Sequence, residues 1–109
     1  MVTRKFRRFP VSMSGTVIHN AQFKHKGVLR DLSFKGCRIE CLISPFTGMQ
    51  VSLLIHVSDN ANGRPVKIDN AAIRWCGSHG IGMEFLTVEP SEQDRLGTVL
   101  QEIEAKVST

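Results

Sequence analysis

The sequence has no tyrosine and one tryptophan, and no apolar run in its 109 residues approaches the ~20 that a membrane-spanning helix needs. The first lack removes most of the aromatic platforms on which single-stranded nucleic acid stacks its bases, so a nucleic-acid polymer is not the expected partner. The second excludes a membrane span. Cysteine is scarce and odd in number, at three. The basic residues of segment 1–10 are not followed by the apolar stretch of a secretory signal. Together these point to reduced thiols in a cytoplasmic protein. Catalytic signatures are missing as well: there is no Gly-x-Ser-x-Gly, no His-Glu-x-x-His and no phosphate-cradling Gly-x-x-x-x-Gly-Lys. The four histidines, His19, His25, His56 and His79, are scattered near strand ends and turns, none beside a candidate nucleophile. An enzyme is not expected, and the length allows one domain with one modest core.

The net charge of +4 comes from 14 Lys and Arg against 10 Asp and Glu. Arg4, Lys5, Arg7 and Arg8 account for the whole excess, leaving ten cations against ten carboxylates from residue 9 onward. A cluster on a terminus is a local anion trap, whereas an even spread would serve solubility.

Turn signals recur every 8 to 15 residues, the spacing of short strands rather than βαβ units. Strands are expected over 11–19, 26–32, 37–42, 49–57, 65–76, the last kinked near Asp69-Asn70, and 81–85. The clearest, 49–57, sets Val51, Leu53, Ile55 and Val57 on one face at period two. In 37–42, Cys37, Ile39 and Cys41 share a face opposite Arg38 and Glu40. The period then changes: Leu96, Val99, Leu100 and Ile103 recur at helical spacing, with Ser91 and Asp94 as a capping box, which predicts a helix over about 91–106. One helix cannot cover six strands. The expected class is therefore all-β, a six-stranded antiparallel barrel closed by a C-terminal α-helix, with residues 1–10 as a basic arm and 11–109 as the barrel domain.

A metal site is not expected. On a strand Cys37 and Cys41 stand ~13 Å apart, too far for two ~2.3 Å thiolate bonds to one zinc ion. Core packing is the simpler role.

Two short segments carry the functional reading. The first is Arg4-Lys5-Phe6-Arg7-Arg8-Phe9-Pro10, with Arg-x-x-x-Arg spacing from Arg4 to Arg8. Arginine is planar and permanently charged, so it can grip a phosphate, pair with O6 and N7 of guanine, or stack on a base. The second is Asp31-Leu32-Ser33-Phe34-Lys35-Gly36. A carboxylate accepts the N1 and N2 protons of guanine, a hydroxyl donates to a phosphate oxygen, and glycine permits a tight turn and close ligand approach.

In this order the two segments resemble the PilZ domain family. The likeness extends to the strand beginning Phe9-Pro10-Val11, to Trp75 and Gly80-Ile81-Gly82-Met83-Glu84-Phe85 near the end of the sheet, and to the terminal helix. The resemblance implies a bacterial PilZ-type barrel that binds cyclic di-GMP, without a further cofactor. It implies that Arg4 and Arg8 grip guanine and phosphate. Asp31 and Ser33 line the barrel side of the pocket, Gly36 permits the turn, and Trp75 either lies near the ligand or packs as a core tryptophan. Lys5, Arg7, Lys35 and Arg38 are phosphate neighbours or solvated charges. In members that bind an intercalated ligand pair an extra Arg often precedes the first motif Arg. Thr3 stands there in this sequence, with Lys5 and Arg7 as the nearest substitutes, so stoichiometry stays open.

The arm is expected to be mobile alone and to fold against the Asp31 face on meeting a dianion. A single-domain receptor of this kind would pass its signal to a downstream protein partner or through its own homo-oligomers. The alternative is a PilZ-type interaction adaptor with weak or no nucleotide binding.

Overall fold

Six stretches of alternating polarity form six antiparallel strands: β1 (Phe9–His19), β2 (Phe23–Leu32), β3 (Gly36–Cys41), β4 (Gln50–Ile55), β5 (Val66–Gly77) and β6 (Gly80–Thr87). A helix, α1 (Pro90–Val107), follows. The computed structural model describes residues 7–20, 22–57 and 64–107. The strands close into a barrel in the order β1-β2-β3-β6-β5-β4, each antiparallel to its neighbours. Closure removes the unpaired edges that an open six-stranded sheet would leave.

Alternation sets the core. Val51, Leu53 and Ile55 of β4, Cys37 and Ile39 of β3, and Ile81, Met83 and Phe85 of β6 point inward and are buried. They meet Val17, Leu29, Leu32, Ile68 and Ile73 in one cluster. The expected kink in β5 is a bulge: Leu53 opposes Ile68 and Val51 opposes Ala71, so Asp69 and Asn70 together face the single residue Ser52. β2 begins three residues earlier than expected. Its start, Phe23-Lys24-His25, continues the ladder because β1 runs on to His19, which opposes Phe23. Asn20, in the turn between them, adopts the left-handed conformation (φ 55°) that asparagine tolerates.

The helix seals one side, resting on β5 and β1. Leu96, Val99 and Leu100 are buried and Ile103 partly so, as the helical spacing requires. Burying each such side chain contributes about 1.5–3 kcal/mol. The expected capping box is corrected by the structure. The helix starts at Pro90, a residue suited to the first helical position, and Gln93 N–H donates to Glu89 O at 2.8 Å. Ser91 thus lies within the first turn rather than at its cap. Glu92 instead reaches down to the barrel and accepts the Lys67 N–H at 2.7 Å and Arg95 Nη1–H at 3.1 Å.

All three cysteines are free: Cys37 is in the core, Cys41 half-buried and Cys76 exposed.

Candidate functional site

Two bulges decide which side chains reach the outer face of the barrel. Strict alternation would put Asp31 on the same face as Leu29, which is fully buried. Instead Leu29 opposes Ile39 and Asp31 opposes Arg38, which leaves Arg30 as an extra residue on β2. Arg30 and Asp31 therefore both face outward, and Leu32 returns to the core. β5 repeats the device. Ile73 opposes Met83 and Trp75 opposes Gly82, so Arg74 is extra and Arg74 and Trp75 emerge side by side.

The ladder registers then place Pro10 opposite Asp31, Asp31 opposite Arg38, Arg38 opposite Gly82 and Gly82 opposite Trp75. This one row crosses β1, β2, β3, β6 and β5. Gly82 forms its low point: a Cβ there would overlap the Trp75 indole, so the ring lies directly on the glycine. The result is an open cleft of about 480 Å³ lined by Arg8, Pro10, Arg30, Asp31, Arg38 and Trp75.

Asp31 is the hub of the cleft. Its Oδ1 accepts from Arg8 Nη2–H at 2.7 Å and Nε–H at 3.1 Å. Its Oδ2 accepts from Arg38 Nε–H at 3.4 Å. Arg38 Nη1–H also donates to the His79 carbonyl at 2.6 Å, which ties the cleft to the β5–β6 turn. Arg30 is paired with Glu40, Nε to Oε2, at 3.2 Å. The lining thus holds three guanidiniums and one carboxylate, with Glu40 offsetting Arg30 from behind. These groups are partly open to solvent: the side chains of Arg8, Asp31 and Arg38 are 31%, 23% and 29% exposed. A ligand can reach them, and their mutual attraction is weaker than in a dry interior. Beneath them, burial and then the charge of Asp31 push the Cys37 thiol up to about 12, with Arg8 working against the shift.

Of the residues singled out in the sequence, the fold brings Arg8, Asp31, Trp75 and Arg38 into this cleft. Ser33 and Gly36 lie in the β2–β3 turn behind it. Ser33 is buried, and its Oγ accepts the N–H groups of Gly36 at 3.1 Å and Lys35 at 3.2 Å. Its own N–H donates to the Gly36 carbonyl at 2.8 Å. Its hydroxyl holds the turn that sets Asp31 against Arg38. Gly36 has no positive φ among the described residues. What it provides is close approach, since a Cβ there would overlap the Met83 carbonyl oxygen. Arg7 faces elsewhere, with its guanidinium 4.9 Å from the Phe9 ring centroid and 3.8 Å from Glu104 of the helix. Arg4, Lys5 and the expected ordering of the arm's first six residues lie outside the described residues.

Sequence reasoning missed Pro10, Arg30 and Gly82. Pairing β2 with β3 about the Ser33–Gly36 turn would have placed Arg38 opposite Asp31. Nothing in the pattern marks Arg30 as a bulge.

The class defined by these features is a small closed antiparallel barrel with one flanking helix and an arginine-rich cleft on its outer wall. The PilZ domain family model matches residues 3–102, and the chain belongs to that family of cyclic di-GMP receptor domains. Solved structures share the fold at low identity. The inhibitor of motility MotI from Bacillus subtilis superposes with a TM-score of 0.76 at 15% identity, over 97% of this chain and 52% of that one, so the chain spans about half of that protein. The PilZ domain of CeSA, from a cellulose-synthesizing bacterium, gives 0.69 at 15% identity, over 90% and 98%. The PilZ domain of YcgR from Escherichia coli, solved with c-di-GMP, gives 0.69 at 13% identity, over 95% and 93%. No curated protein sequence matches the chain. Among the described residues no helix is long and apolar enough to cross a membrane.

Proposed function

We propose that the protein is a non-enzymatic receptor for cyclic di-GMP, and that Arg8, Asp31, Arg38 and Trp75 are the described part of its binding site. The observation that carries this reading is the meeting of Arg8 and Asp31, 23 residues apart in the chain, at 2.7 Å in an open cationic cleft.

The chemistry of the cleft selects among anions. A phosphate that draws Arg8 and Arg38 away from Asp31 strands a partly buried carboxylate, and an unpaired charge of that kind is costly. A ligand overcomes this cost when it also brings N–H donors for the carboxylate. The Watson–Crick edge of guanine has two, at N1 and N2. Trp75, seated on Gly82, offers a flat face for the purine. A molecule that joins guanines to phosphodiesters fits all three demands at once. Inorganic phosphate or pyrophosphate fits one. By the family resemblance, Arg4 of the arm adds a second grip, and the ordered arm changes the surface offered to a partner.

Titration calorimetry of the full chain tests this. Cyclic di-GMP is expected to bind, with pyrophosphate failing to compete at equal concentration. Absence of heat, together with an unchanged melting temperature in excess ligand, would reduce the Arg8–Asp31 pair to a structural brace. The interaction-adaptor reading would then stand in its place, because a ligand that binds only the folded state must raise stability.

A further inference from the structure

The barrel end where β1 turns into β2, β3 departs for β4 and β5 turns into β6 differs in character from the cleft. The ladders bring these segments to the same end: His19 opposes Phe23, Gly27 opposes Cys41, Ile18 opposes Ser52 and Gly77 opposes Gly80. In passing from β3 to β4 the chain crosses this end past β6 and β5. It is fastened there by Gly48 N–H to the Ile73 carbonyl at 2.7 Å and by Ile43, which packs on the core. Leu42 and Phe46 of the crossing are 95% and 61% exposed, and Phe23, at the tip of the neighbouring hairpin, is 54% exposed.

Lys24 and Lys26 are exposed beside them. The described segments that make this end, 17–20, 22–27, 41–50 and 76–81, contain no Asp or Glu. The carboxylate that borders it, Glu40, stands beside Gly80 and is engaged by Arg30 at 3.2 Å. This end thus carries protruding apolar tips and lysines, and the acid at its border is already paired with an arginine.

We propose that this end docks on an anionic lipid bilayer, with Leu42, Phe46 and Phe23 entering the headgroup boundary and Lys24 and Lys26 resting on lipid phosphates. Shape and charge favour a bilayer over the other occupants. Separate convex tips bury little area against a flat protein face but sink independently into a fluid interface. A second copy of the chain would bring lysines against lysines, with the bordering Glu40 already engaged by Arg30. The long stems of Lys24 and Lys26 let their ammonium groups stay at the phosphate level while the neighbouring side chains go deeper.

The test is co-sedimentation of the full chain with vesicles of phosphatidylcholine alone and with added phosphatidylglycerol. Binding is expected only with the anionic lipid and is expected to weaken with salt. The surface variant Lys24→Gln/Lys26→Gln should lower partitioning roughly twenty-five-fold, about five-fold for each lysine removed. Leu42→Ser/Phe46→Ser should abolish it. Both should keep the parent melting temperature and affinity for cyclic di-GMP. Equal pelleting with both vesicle types, or unchanged partitioning of both variants, overturns the proposal. Loss confined to Arg4→Ser/Lys5→Ser moves the contact to the arm and also overturns it. Retention on polyglutamate that depends on Lys24 and Lys26, without vesicle binding, would assign the surface to an acidic protein instead.

Discussion

Two glycines, Gly36 and Gly82, each stand where a methyl group would collide, yet their alanine variants should behave differently. At Gly36 the obstacle is backbone, the Met83 carbonyl oxygen on the adjoining strand. That oxygen cannot retreat without opening the β3–β6 ladder, in which Gly36 opposes Glu84 and Cys37 opposes Met83. Such overpacking costs about 1–3 kcal/mol. In a domain near this size each kcal/mol lowers the melting temperature by roughly 4–8 °C, so Gly36→Ala should melt about 5–20 °C below the parent. At Gly82 the obstacle is the indole of Trp75, a side chain already 44% exposed that can swing outward. Gly82→Ala should therefore cost less than about 1 kcal/mol, the usual range for a change the surface can absorb.

Displacing the indole removes one wall of the cleft, and Trp75 is the only tryptophan, so its fluorescence reports the displacement without ambiguity. In Gly82→Ala the emission should shift to the red and cyclic di-GMP binding should weaken. In Gly36→Ala the emission below the melting transition should match the parent. Thermal melts followed by circular dichroism, paired with emission spectra at 20 °C, measure both. A Gly82→Ala protein that melts as low as Gly36→Ala, with tryptophan emission unchanged, would refute the placement of the indole on Gly82 and with it the cleft's aromatic wall.

Arg8→Ala should weaken cyclic di-GMP binding by more than ~1.5 kcal/mol, the low end for a charged hydrogen bond, as read by calorimetry, whereas Lys106→Ala, outside the cleft, should leave it unchanged. Asp31→Ala should erode preference for the guanine ligand over its adenine analogue more than it weakens phosphate attraction, so competition between the two dinucleotides is the measurement. Iodoacetamide at pH 8 should label the exposed Cys76 and leave Cys37 untouched until the protein unfolds, because burial and the neighbouring Asp31 hold that thiol near 12; mass spectrometry of native and urea-treated samples decides it. For Glu92, burial opposes ionisation, but the Lys67 N–H and the guanidiniums of Arg95 and Arg64 outweigh it and pull the carboxyl below its ordinary value. The stabilisation from Glu92 is therefore present above the unfolded carboxyl value of ~4.3 and is lost as pH falls through the lower folded value. Glu92→Gln should lose about 1–2 kcal/mol at pH 7, within the range for bonds to charged groups, and the gap should narrow in urea denaturation as pH falls below the ordinary carboxyl range.

The fold was legible wherever period and burial coincide. Val51, Leu53 and Ile55 at every second position, and Leu96, Val99 and Leu100 at helical spacing, each carry enough apolar surface to fix the face they present. Ser91 and Asp94 satisfy a local rule for a helix start, but Pro90 opens the helix and Glu92 commits its carboxylate to the Lys67 N–H of β5, 25 residues away in sequence.

The cleft was legible in part, and its illegible part has a common cause. Arg8 and Asp31 could be assigned to one pocket through the resemblance that their two motifs carry. Arg30 could not, because alternation is a rule about strands that keep step with their neighbours, and at Arg30 and Arg74 they do not. A bulge lets two consecutive side chains share one face without moving the core residues on either side, so Leu29 and Leu32 stay buried while Arg30 and Asp31 both emerge. A ladder in step exposes only alternate residues and so cannot set adjacent charged side chains on one face of a short strand. Concentrating three arginines, an aspartate and a tryptophan on the outer wall of so small a barrel requires the strands to fall out of step. For that reason the residues of the cleft are the ones a periodic reading is least able to find.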